Sequence, residues 1–72
     1  MKIYKVSVLG WMEVIYTGIF ANEELARKTY EEKVAKDIEK LCYYHYKTDI
    51  YLDELEEDKN GQFIYIQTLE TY

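Results

Sequence analysis

Cys42 and His45 are the residues of this chain best equipped for chemistry, and a spacing of three puts them on one side of a helix. A thiol beside an imidazole can act as an activated nucleophile or supply two ligands to zinc. Either role needs more groups. Structural zinc takes four ligands and catalytic zinc three plus water, yet the only further donors are carboxylates such as Asp49. Thiol catalysis needs oxyanion donors, and no glycine-rich loop, serine elbow or phosphate cradle accompanies the pair. His45 also continues an apolar helical stripe, and Cys42 follows Leu41 on its buried side, so packing accounts for both. No catalytic residue, metal ligand or cofactor is assigned. A small enzyme or ligand-binding domain using Cys42 and His45 stays open as an alternative.

The run Glu56-Glu57-Asp58-Lys59-Asn60-Gly61 offers oxygen ligands at the first, third and fifth places of a calcium loop and glycine at the sixth. The twelfth place is Gln67, which cannot supply the bidentate carboxylate, and the flanks read as strands. A hairpin turn explains Asn60-Gly61 better.

Asp53, Glu54, Glu56, Glu57 and Asp58 form the most informative surface feature. Residues 1–22 carry a net charge of +1, residues 23–47 zero, and residues 48–72 a net −6, so the acidity of the chain belongs to its last third. Such a field repels phosphate backbones and anionic membranes and favours basic partners. One reading is a solvated strand end whose charges blunt an exposed edge. The other is a negative handle for a basic protein groove, one that ordinarily holds nucleic acid. Exposed neighbouring carboxylates do not supply the raised pKa that acid–base catalysis needs.

Tyr43, Tyr44 and Tyr46 flank His45, and they cannot all face inward from one helix. Those left outside suit a protein interface, where tyrosine brings contact area and a hydroxyl. Trp11, on the first hairpin loop, is a further anchor.

The elements that position these residues follow from hydrophobic period. Residues 2–9 alternate, with Tyr4, Val6 and Val8 on one face, and residues 12–20 repeat the pattern with Met12, Val14 and Tyr16. A three-residue loop over Leu9, Gly10 and Trp11 would pair Val8 with Met12, Val6 with Val14, and Tyr4 with Tyr16. The period then lengthens: Asn22 can cap a helix that Glu23 and Glu24 favour electrostatically. Ala26, Tyr30, Val34, Ile38, Leu41 and His45 form its stripe, which predicts a helix from Glu23 to about His45. Beyond it, strand-like residues around Ile50, Tyr51 and Leu52 lead to Asn60-Gly61, a type I′ turn signal, and then QFIYIQTLETY. A turn centred there sets Leu55 opposite Ile66 and Leu52 opposite Leu69, with a longer loop or a bulge as alternatives. The expected fold is α+β: an antiparallel four-stranded sheet with one helix packed on one face, in the order β-β-α-β-β.

Gly18, Ile19, Phe20, Asn22, Glu23, Glu24 and Ala26 form a hairpin end, a polar cap and a Glu- and Ala-containing helix. In this they resemble small uncharacterised phage and mobile-element accessory proteins. The resemblance implies a setting, in which inhibitors of host enzymes and defence systems are frequent, and assigns no functional residue.

At 72 residues the chain makes a single domain, 1–72, and such a chain buries only roughly 60% of the surface its unfolded form exposes. A lone cysteine excludes an internal disulfide and fits a reducing, cytoplasmic setting, so a homodimer is one way to supplement the core. MKIYKVSVLG reads as a first strand and not as a signal peptide, and no apolar run approaches the roughly 20 residues of a membrane span. These features converge on a small acidic binding protein, of phage-inhibitor type, that engages a basic protein surface without binding nucleic acid or membrane directly. A homo-oligomeric accessory domain is the alternative.

Overall fold

Alternation of Tyr4, Val6 and Val8 builds β1 (Lys2–Gly10), a strand that buries all three side chains on one face. In the computed structural model, which describes residues 1–41 and 47–72, β1 is followed by β2 (Glu13–Phe20), α1 (Glu23–Lys40), β3 (Asp49–Glu57) and β4 (Phe63–Thr71). The strands form one antiparallel sheet in the order β2-β1-β3-β4, with the helix on one face. This is the expected α+β architecture. Val6, Ile50 and Leu52 are fully enclosed at its centre, where β1 and β3 lie side by side. Tyr16, Phe20, Tyr30 and Leu69 close the cluster that Tyr4, Val6, Ala26 and Leu52 form under the helix.

The first hairpin departs from the expected register. Tyr4 pairs with Phe20, Val6 with Gly18 and Val8 with Tyr16, four residues further along β2 than the three-residue loop implied. An even shift keeps Tyr16 on the helix side. The turn is Trp11-Met12, flanked by the Gly10–Glu13 pair, and Met12 takes φ of 66°, in the left-handed region. A bulge at Val8/Leu9 then absorbs one residue of β2, so Val14 pairs with Leu9 and lies on the opposite face from Tyr16. Gly18 matters here: a Cβ at this position would collide with the rings of Tyr16 and Phe20, which lie over its bare backbone.

Asn22 caps the helix as expected, its Oδ1 accepting from the Leu25 amide at 3.1 Å. The helix ends at Lys40 with Leu41 as its C-cap; the expected continuation to His45 lies outside the described residues. The stripe also differs. Asp37 is buried, while Ile38 is 54% exposed. From Ala26 the inward line runs through Tyr30, Lys33, Val34 and Asp37, because 3.6 residues per turn carries it ahead of a strict four-residue step. Asp37 tolerates burial because it accepts from the Thr48 hydroxyl at 2.6 Å and from the Thr48 amide at 3.3 Å. That cluster ties the end of the helix to the entry of β3.

The second hairpin turns through a five-residue connection in place of a type I′ turn on Asn60-Gly61. The Gly61 amide donates to the Asp58 carbonyl at 3.1 Å, and the Asp58 amide to the Gln62 carbonyl at 2.7 Å. Gly61 has φ of 81°, whereas Asn60 does not take positive φ. The reason is local: Asp58 Oδ1 accepts from the amides of Asn60 at 2.8 Å and Gln62 at 2.9 Å, an Asx arrangement that outcompetes the tighter turn. The turn sets Leu55 opposite Tyr65, and two register shifts further along leave Leu52 opposite Glu70, one residue off each expected pair. Leu69, displaced by the second shift, still reaches the core.

Candidate functional site

Strand order decides what the acidic segment can do. β3 lies inside the sheet, between β1 and β4, so its carboxylates do not blunt an edge. Alternation sends Glu54 and Glu56 to the helix side and Asp53 and Glu57 to the other. Asp53, Glu54, Glu56, Glu57 and Asp58 therefore do not share one surface.

Three of the five are also engaged internally. Glu54 is buried, 3.2 Å from the Lys2 ammonium, and accepts from the Gln67 amide at 3.0 Å. The Gln67 bond and then the Lys2 bond hold its carboxyl below the ordinary value, while the bond to Glu54 raises the Lys2 ammonium. Asp53 accepts from the Thr68 hydroxyl at 2.7 Å, and Thr68 in turn meets the Tyr65 hydroxyl at 2.8 Å. Asp58 organises the turn. Glu56 and Glu57 remain exposed and carry no ion pair among the described residues.

Other carboxylates join them at this end of the sheet. Tyr4 pairs with both Phe20 and Glu54, so the end of β2, the start of α1 and the outgoing half of β3 meet there. Burial pushes the Tyr4 phenol up, and the charges of Glu23 and Glu54 push it further. Arg27 donates to Glu23 at 3.0 Å and approaches Glu70 at 3.6 Å, and the bond to Glu23 chiefly raises its guanidinium. Lys2 and Arg27 are thus occupied by Glu54, Glu23 and Glu70. Exposed Glu56 and Glu57 end β3 at this acidic pole, with Lys59 in the adjoining turn, and exposed Glu24 stands at the helix start beside Lys28.

No family model, curated protein or solved structure matches this chain.

Trp11 lies at the opposite end, beyond Gly10, and is 88% exposed, as is Met12. With β1 running from Lys2 to Gly10 between the two, Trp11 and the acidic pole cannot grip one small patch. A cleft of about 730 Å³ borders the Trp11 turn, lined by Leu9, Ile15, Lys40 and Asp49 among others. Tyr43, Tyr44 and Tyr46, and the Cys42/His45 pair, lie outside the described residues. Among the described residues no three of His, Cys, Asp and Glu group as a metal site, and no helix is long and apolar enough to cross a membrane.

In the sequence Glu23 and Glu24 read as complements of the helix dipole, with nothing to mark that the helix starts at the end of the sheet where Glu56 and Glu57 lie. Lys2 was likewise invisible as the partner of Glu54. Neither relation has a local signal, since both arise from β1 pairing with β3 across the intervening helix.

Proposed function

We propose that this chain is a non-enzymatic binding protein whose acidic pole engages a basic surface on a partner protein. The observation that carries the reading is that exposed Glu56 and Glu57 end β3 at the end of the sheet where the helix begins with Glu23 and exposed Glu24, while the nearby cations Lys2 and Arg27 pair with carboxylates of the chain itself. Carboxylates on a hairpin and a helix start can occupy places that phosphates take in a nucleic-acid-binding groove. Association driven this way is fast and salt-sensitive. The resemblance of the Gly18–Ala26 stretch to phage accessory proteins supports a role as an inhibitor acting in a host cytoplasm.

The immobilised protein is predicted to retain a basic protein from a bacterial lysate at low salt and to release it at high salt. Reversing Glu24, Glu56 and Glu57 to lysine abolishes that capture. Retention that survives both high salt and the triple reversal contradicts the reading. Glu54 is left intact in this experiment because its charge serves the fold.

A homo-oligomeric role is the second reading, and a different observation favours it: the apolar outer strand β4.

A further inference from the structure

The charges of this sheet are on the wrong strands for a lone molecule. Isolated domains protect sheet edges with charged side chains, proline or a covering element. Here β3, an inner strand, holds Asp49, Asp53, Glu54, Glu56 and Glu57, while the edge strand β4 holds Glu70 alone, and Arg27 occupies it. From Asn60 to Leu69 there is no charged residue at all. Phe63, Ile64, Tyr65 and Ile66 follow one another at 41%, 50%, 61% and 43% exposure.

The helix packs on β1, β3 and β2 and meets β4 at Leu69 and Glu70, while Phe63–Ile66 of β4 stay exposed. The other edge, β2, has Tyr16 and Phe20 tucked under the helix and a bulge near its start. The two register shifts of β4 fall beyond Tyr65, leaving Phe63–Tyr65 regular. A neutral, apolar edge is a template for strand pairing.

We propose that two copies of this chain associate through antiparallel pairing of their β4 strands, joining two sheets into one of eight strands. Twofold symmetry makes the contact isologous. Since side chains opposite each other must share a face, a residue lies on the axis. Centring the regular stretch puts Ile64 opposite itself and Phe63 of one copy opposite Tyr65 of the other, an aromatic cross-strand pair.

A second copy fits this edge on charge grounds. The chain is acidic overall, at −5, and self-association elsewhere opposes like charges, but the facing Phe63–Tyr65 segments contribute none. The four exposed side chains offer roughly 400 Å² per copy, so the pair buries at most about 800 Å² of side-chain surface plus strand backbone, which sets it among weak, reversible contacts.

Sedimentation equilibrium over a range of protein concentration tests this, with amide exchange followed at low and high concentration. The mass rises two-fold with concentration, and β4 amides gain protection over the same range. Ile64→Lys, at a half-exposed site, holds the mass at the monomer value, while Ile19→Lys on β2 does not. A wild-type monomer at every concentration overturns the proposal. So does protection that appears on β2 instead, or a dimer lost with Ile19→Lys and kept with Ile64→Lys. If Ile64→Lys fails to fold, the wild-type mass and exchange pattern decide by themselves.

Discussion

Lys2 and Glu54 sit on adjacent strands with the ammonium 3.2 Å from the carboxylate, so the first charged residue of the chain neutralises a buried acid of the third strand. The carboxylate also accepts from Gln67 on β4, so three strands meet at one side chain. A charge there is tolerable because both partners favour its ionised form.

Acid stability should report this contact. The carboxyl of Glu54 titrates below its ordinary 4.5, so the ionised form stabilises the fold above that value. The contribution is lost as pH falls through the lowered folded value. Urea midpoints measured from neutral pH downward should start to fall as the pH nears the ordinary 4.5 and keep falling through the lowered folded value. Glu54→Gln should be less stable at neutral pH and should show a shallower acid slope. An unchanged slope would remove Glu54 as its source.

Asp37 and Thr48 offer a test of how the helix is fastened. Asp37→Ala leaves the Thr48 amide and hydroxyl buried without their acceptor, which should cost about 2–3 kcal/mol. Thr48→Val should cost less, because the backbone amide still donates to Asp37. Chemical denaturation of both single variants and the double should show non-additive losses, as expected for one shared contact. Burial and then the bond to Asp37 raise the Tyr72 phenol, so Asp37→Ala should also move the Tyr72 titration back toward 10.0.

Two backbone sites should respond in opposite directions to a change of side chain. Met12 holds φ of 66° while 88% exposed, so Met12→Gly relieves a steric cost and loses little packing. Stability should rise by about 0.5–1 kcal/mol, after the entropy that glycine adds to the unfolded chain. Gly18→Ala should lower it by about 1–3 kcal/mol, because the new methyl displaces the Tyr16 and Phe20 rings from the core. Displacing Tyr16 also disturbs the Lys33 ammonium, which sits 4.0 Å from that ring's centre. Thermal melts of the two variants read both effects.

By itself the sequence determined the elements and their order. Tyr4, Val6 and Val8 alternate, Asn22 can cap, and the apolar period lengthens after it; each is a relation among residues a few positions apart. Tertiary structure decided the neighbours. That β1 pairs with β3 makes the acidic strand internal, gives Glu54 its Lys2, and leaves the uncharged β4 outermost. It also turned Asp37 inward past Ile38, because Thr48 arrives there from eleven residues along the chain. The cause is physical: a strand's own residues state which faces are apolar, but not which backbone will satisfy its outward hydrogen bonds. That choice depends on the energy of the assembled sheet, and with it go the sides on which charges emerge.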